Sequence, residues 1–144
     1  KEAIAFLGEL IPLIEDHGTI ICFEPLSKKD SDFINRVEES IELVKEVNHR
    51  SFRVQLDAKA LVANNELNLK TFEEAKPYLV HVHVNEPDLG VLRGMGEVNN
   101  AEMGRFLRNI DYEGYVSLEQ KKVCQDNTIE PIQKSIKILL ENYS

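Results

Sequence analysis

Four parallel β-strands alternating with helices, making one half of a (β/α)8 barrel, is the α/β fold that this sequence predicts, on three observations. Short β-branched runs alternate with helical patterns, which implies parallel strands joined by right-handed crossovers. The polar residues that close the strands, Glu24, Asp57, His83 and Glu119, stand 33, 26 and 36 residues apart. Eight units of that mean length, about 32, give the roughly 250 residues of a full barrel, so this chain supplies about half. The Gly-rich first turn that usually marks the rival fold, an open doubly wound sheet, is absent.

The elements follow in order. Ala3 to His17 carries Ile4, Leu7, Leu10, Ile11 and Ile14 at helical steps of three and four. Pro12 is expected to kink or break that helix, and His17-Gly18 to stop it. Thr19 to Glu24 is β-branched and aromatic, stops at Pro25, and reads as a strand. Ser31 or Asp32 can then cap a helix with Phe33, Val37, Ile41, Val44 and Val47 on one side. Phe52 to Asp57 is a second strand. Ala58 to Leu69 is less regular, with a break at Asn64-Asn65, and Thr71 to Ala75 is a short helix ending before Pro77. Tyr78 to Val84 is a third strand, Asn85 to Asn99 a long Gly-containing loop, and Ala101 to Ile110 a helix. Tyr115 to Glu119 is a fourth strand, and Asn127 to Asn142 a closing helix with Ile129, Ile132, Ile136, Leu139 and Leu140. Together, residues 1–144 read as one incomplete barrel domain: a helix followed by four β/α units.

The strands carry the functional signal. Side chains alternate between the two faces of a strand. Phe23, Leu56, Val82 and Leu118 suit the outer face of a barrel, which must meet helices. The inner face then presents Glu24, Asp57, His83 and Glu119 at the C-terminal mouth, with Cys22, Gln55, His81 and Ser117 one layer below. Barrel active sites sit at that mouth. Three carboxylates converging on one place repel each other unless a cation lies between them. Three oxygens and one imidazole form a hard-to-borderline donor set, which suits Mn²⁺ first, with Mg²⁺, Co²⁺ or Zn²⁺ as alternatives. His81 and Gln55, beneath the ring, are candidates to support the ligands. A single acid at a strand end is commonplace; four successive strands each ending in an inward-facing donor are not.

Composition narrows the function classes. With a net charge of −8 and its basic residues interspersed among acids, the chain lacks the concentrated Lys/Arg surface that nucleic acid requires. No apolar run reaches the roughly 20 residues of a membrane helix. Cys22 and Cys124 read as reduced thiols, consistent with a cytoplasmic protein. No secretory leader pattern opens the chain, and Lys1 runs straight into a helical pattern, so the chain is expected to begin inside a larger protein.

Four segments, Cys22-Phe23-Glu24-Pro25, Gln55-Leu56-Asp57-Ala58, His81-Val82-His83-Val84-Asn85-Glu86 and Ser117-Leu118-Glu119, together resemble the xylose-isomerase-like sugar isomerases and epimerases. That family includes ketose 3-epimerases and hydroxypyruvate-isomerase-like proteins. The resemblance covers nearly the whole chain and matches the last four β/α units of a TIM barrel, its C-terminal half. It implies a small sugar or sugar phosphate as substrate and Glu24, Asp57, His83 and Glu119 as ligands of one divalent metal. It further implies that Glu24 and Glu119 transfer protons on opposite sides of an enediolate. Two positions depart from the family pattern. Ala60 stands where ketose epimerases tend to have a histidine, and Asn99-Asn100 where many relatives have an acid–His pair. Gly94-Met95-Gly96 resembles the family's Gly-x-Gly loop, and Arg93 beside it is a candidate for a substrate oxygen or phosphate.

Two other readings stand against an isomerase or epimerase. A sugar dehydratase on the same scaffold shares the enolate chemistry. A half-barrel can also be a catalytically inactive metal-binding piece, without the walls that exclude water. A trinuclear-zinc repair nuclease on this fold needs more histidines than the four present and a more basic surface. Two open sheet edges also predict a homo-oligomer paired edge to edge.

Overall fold

A computed structural model describes residues 1–144. It contains α1 (Glu2–Ile14), β1 (Ile21–Phe23), α2 (Val37–Val47), β2 (Phe52–Asp57), α3 (Ala58–Ala63) and α4 (Leu69–Ala75). These are followed by β3 (Leu79–Val84), α5 (Asn100–Asn109), β4 (Tyr115–Leu118) and α6 (Ile129–Tyr143). The four strands form one parallel sheet in the order β1-β2-β3-β4, so chain order and spatial order coincide. Strands β1 and β4 are the open edges.

Helices cover one face of the sheet. Phe52, Val54, Leu56, Val82 and Val84 point into that layer and are fully buried against residues such as Leu61, Phe72, Met103 and Val44. The opposite face, which would be the barrel interior, is only partly enclosed, and Tyr115 on it is 80% exposed. The alternation of apolar and polar residues along β2 and β3 is therefore the alternation between core and barrel interior.

Local chemistry sets several elements apart from the sequence pattern. The helix expected from Ser31 or Asp32 begins at Val37 instead. Residues 27–35 are taken up by side-chain bonds that compete with helix: Ser27 to Asp30, Ser31 to the Phe33 amide, and the Asn35 amide to the Leu26 and Ser31 carbonyls. Glu39 then closes the helix start by accepting the N–H groups of Asn35 and Arg36 at 3.0 and 2.9 Å. Pro12 does not break α1. It lies in the last turn, where only one intrahelical bond is lost, and the chain tightens into a 3-10 turn over Glu15–His17 before Gly18 ends it at a φ of 68°. The irregular stretch after Asp57 resolves into α3 and α4, the second capped by Asn68. The first strand is also shorter than its β-branched run, covering only Ile21–Phe23.

Candidate metal centre

Each predicted ligand sits at or just beyond the C-terminal end of a strand. Glu24 follows β1, Asp57 and His83 lie in the last turn of the pleat in β2 and β3, and Glu119 follows β4, where its N–H still bonds the Val84 carbonyl at 3.0 Å. The four are not abreast in hydrogen-bond register. Phe23 pairs with Val54, so Glu24 stands level with Gln55; Asp57 pairs with His83; His83 pairs with Ser117, leaving Glu119 two residues further up. That progressive slip is what strand tilt in a barrel requires.

One donor atom from each of Glu24, Asp57 and His83 lies within 4.8 Å of the others. Glu119 lies beside this group: its Oε2 is 4.0 Å from His83 Nδ1, as is Asp57 Oδ2. Two amides hold these side chains. Gln55 Nε2 donates to Glu24 Oε2 at 2.9 Å and to His83 Nδ1 at 3.1 Å. Asn85 Nδ2 donates to Asp57 Oδ2 and Glu119 Oε2, both at 2.6 Å. An amide nitrogen can only donate, so in this arrangement His83 Nδ1 accepts from Gln55. Asp57 has a second task, since its Oδ1 accepts the Ala60 N–H at 2.9 Å and caps α3.

The electrostatics show the strain of gathering acids. Burial, reinforced by the Asp57 and Glu119 carboxylates, pushes Glu24 up to about 7 from an ordinary value of 4.5, against the opposing Lys59 charge and Gln55 hydrogen bond. Burial also raises Asp57, although the Ala60 N–H and the Asn85 amide oppose it. Glutamate and aspartate in such surroundings are stabilised by a cation. Glu24, Asp57 and His83, two carboxylates and one imidazole with the Glu119 carboxylate beside them, therefore form a group whose geometry and charge fit a divalent metal.

The remaining candidates divide. Gln55 is buried and bonded to two of the predicted ligands, Glu24 and His83, and the His81 ring stacks edge-on to His83 with centroids 5.2 Å apart. Burial, with the neighbouring His83, lowers the His81 pKa. Arg93 is turned to its own loop, where its guanidinium meets Asp88 at 2.7 Å. The two departures from the family pattern have structural uses here. Ala60 supplies the N–H that Asp57 caps, Asn99 caps α5, and Asn100 is fully buried between the Arg93 carbonyl and the Tyr143 hydroxyl. Asn85 was not singled out by sequence pattern, because an asparagine just after a strand reads as a turn residue; its place two positions beyond His83, on the same face, was the available signal. Lys59 was likewise unmarked, and its ammonium lies 3.1 Å from Asp30 with its field reaching Glu24.

Fold and site together define a class: a parallel α/β half-barrel with a divalent-cation donor set at the C-terminal ends of its strands. More particularly, the chain belongs to the xylose isomerase-like TIM barrel family, which it matches over residues 1–142. It is 28% identical over 119 residues to a D-psicose 3-epimerase of Ruminiclostridium cellulolyticum, covering 83% of this chain and 40% of that protein. A D-psicose 3-epimerase of Agrobacterium fabrum is 30% identical over 104 residues, covering 72% of this chain and 36% of the relative. The fold superposes on a D-allulose 3-epimerase of Methylomonas sp., solved in complex with D-allulose, with a TM-score of 0.85 at 23% identity over 97% of this chain and 54% of that one. The chain thus spans well under two thirds of the length of these relatives. No helix is long and apolar enough to cross a membrane.

Proposed function

We propose that residues 1–144 are the metal-binding half of a sugar isomerase or epimerase barrel, a single domain completed by further β/α units. The observation that carries this reading is the convergence of Glu24, Asp57 and His83 within 4.8 Å, with Glu119 alongside, at the mouth of a parallel sheet. Glu24, Asp57, His83 and Glu119 would hold one divalent cation, Mn²⁺ by preference. When bound, the cation supplies Lewis-acid polarisation of a ketose carbonyl and its neighbouring hydroxyl. The proton work falls to the two glutamates. One carboxylate takes the proton from the carbon beside the carbonyl, and the other returns one to the opposite face for epimerisation, or to the adjacent carbon for isomerisation. Asp57 and His83 stay as ligands, and Gln55 and His81 support them from below. The ketose 3-epimerase names of the relatives favour a ketose substrate over a dehydratase's.

Two copies paired through the open edges of β1 and β4 would supply eight strands, which supports self-association of this chain. The test of function is the metal content of the purified protein after incubation with Mn²⁺, followed by a ketohexose epimerisation assay. Near-stoichiometric metal that falls in both Glu24→Gln and Glu119→Gln, with epimerised product, is the expected result. Metal without turnover would identify an inactive metal-binding half; no metal would remove the reading altogether.

A further inference from the structure

The four ligand side chains are held as two pairs, and each pair shares a single amide nitrogen. Gln55 joins Glu24 to His83, and Asn85 joins Asp57 to Glu119. Neither amide has a free orientation. Both hydrogens of each NH2 group are taken up by these partners, and reversing either amide would set its oxygen against a carboxylate. Asn85 is fully buried and locked at its other end as well, since its Oδ1 accepts the Lys59 N–H at 2.8 Å. That bond ties the amide to the first turn of α3, which Asp57 also caps.

From this geometry we infer that Asn85 and Gln55 are positioning residues that set the spacing of the four ligands by pairing them, each amide bridging one carboxylate to a donor on another strand. The inference rests on the metal-binding reading above. Its physical content is cross-strand order. The ligands come from four strand ends, two of them, Glu24 and Glu119, lying one residue beyond the edge strands of the sheet. Glu119 is the most exposed of the four, with 45% of its side chain accessible, and the Asn85 amide is its only side-chain hydrogen bond. Between Asp57 and Glu119, the partial positive charge of the Asn85 NH2 group also offsets repulsion that would otherwise splay the two carboxylates. Partners of this kind around metal ligands typically govern affinity by roughly 10–100-fold.

The experiment is Mn²⁺ titration, followed by electron paramagnetic resonance of the free ion, on the full chain and on Asn85→Ala, Gln55→Ala and Asn100→Ala. Asn100 is a fully buried amide of the same size in a separate network, so Asn100→Ala reports what loss of a buried asparagine does to binding through stability alone. Each variant is checked by circular dichroism and thermal melting. The expected result is one Mn²⁺ per chain for the parent, affinity lowered about 10–100-fold at unchanged stoichiometry in Asn85→Ala and Gln55→Ala, and parent-like affinity in Asn100→Ala. Should Asn85→Ala fail to fold, Gln55→Ala carries the test. Parent-like affinity in the folded Asn85 and Gln55 variants, or an equal loss in Asn100→Ala, overturns the positioning role and leaves the metal site standing. A parent that binds no Mn²⁺ overturns both.

Discussion

Replacing Glu24 by glutamine should stabilise the metal-free protein while removing its response to metal. In the folded state Glu24 keeps its proton up to about pH 7, whereas an unfolded chain releases it near 4.5. The folded state therefore binds this proton more tightly, and stability falls as the pH rises from about 4.5 through 7. At about 1.4 kcal/mol per unit, the shift would correspond to about 3 kcal/mol for a fully enclosed group. Glu24 is only half-buried, and solvent screening reduces this to about 1–2 kcal/mol. Glutamine keeps the shape and an acceptor oxygen for Gln55, and it has no charge to desolvate. In chelator, urea denaturation of parent and variant should coincide near pH 4.5 and separate by about 1–2 kcal/mol in the variant's favour by pH 8. For a domain of this size that is a gain of roughly 3–6 °C in melting temperature. Adding Mn²⁺ at a hundred times its dissociation constant should reverse the order, stabilising the parent by about 2.7 kcal/mol and the variant far less. Parallel pH profiles for the two proteins in chelator would refute the account of Glu24 as a carboxylate strained by burial and by Asp57 and Glu119.

Three further outcomes are expected. Leu56→Ala, at a fully buried position between the sheet and its helices, should cost about 2–5 kcal/mol by chemical denaturation, and a cost below 1 kcal/mol would contradict the assigned core face of β2. Gly104→Ala should destabilise by about 1–3 kcal/mol, because a Cβ there meets the Asn142 carbonyl where α5 and α6 approach; a neutral or stabilising result would show that the helices are not in this contact. Sedimentation velocity over a hundredfold concentration range should show mass rising toward a dimer through the exposed edges of β1 and β4, and a monomer throughout would remove the edge-pairing proposal.

The alternation of strand and helix, the inward face of each strand, and the four residues ending those strands were legible in the sequence, because they rest on periods of two and 3.6 that need no tertiary information. Asp57 and His83 show this most directly: each is the inward residue at a strand end, and the parallel ladder sets them side by side. Other features were decided only by folding. The start of α2 depended on whether Ser31 and Asn35 would spend their side chains on a turn or on a helix, a competition between nearly equal local bonds. The stagger of Glu24 and Glu119 relative to Asp57 and His83 depended on the slip between strands, which accumulates with tilt and leaves no mark in spacing along the chain. Arg93, beside a Gly-x-Gly loop, was drawn to Asp88 because the loop folds back on itself. Asn85 became a bridge between Asp57 and Glu119 only because the ends of β2, β3 and β4 converge, and an asparagine's two donors have no assigned partners until the chain around them is closed.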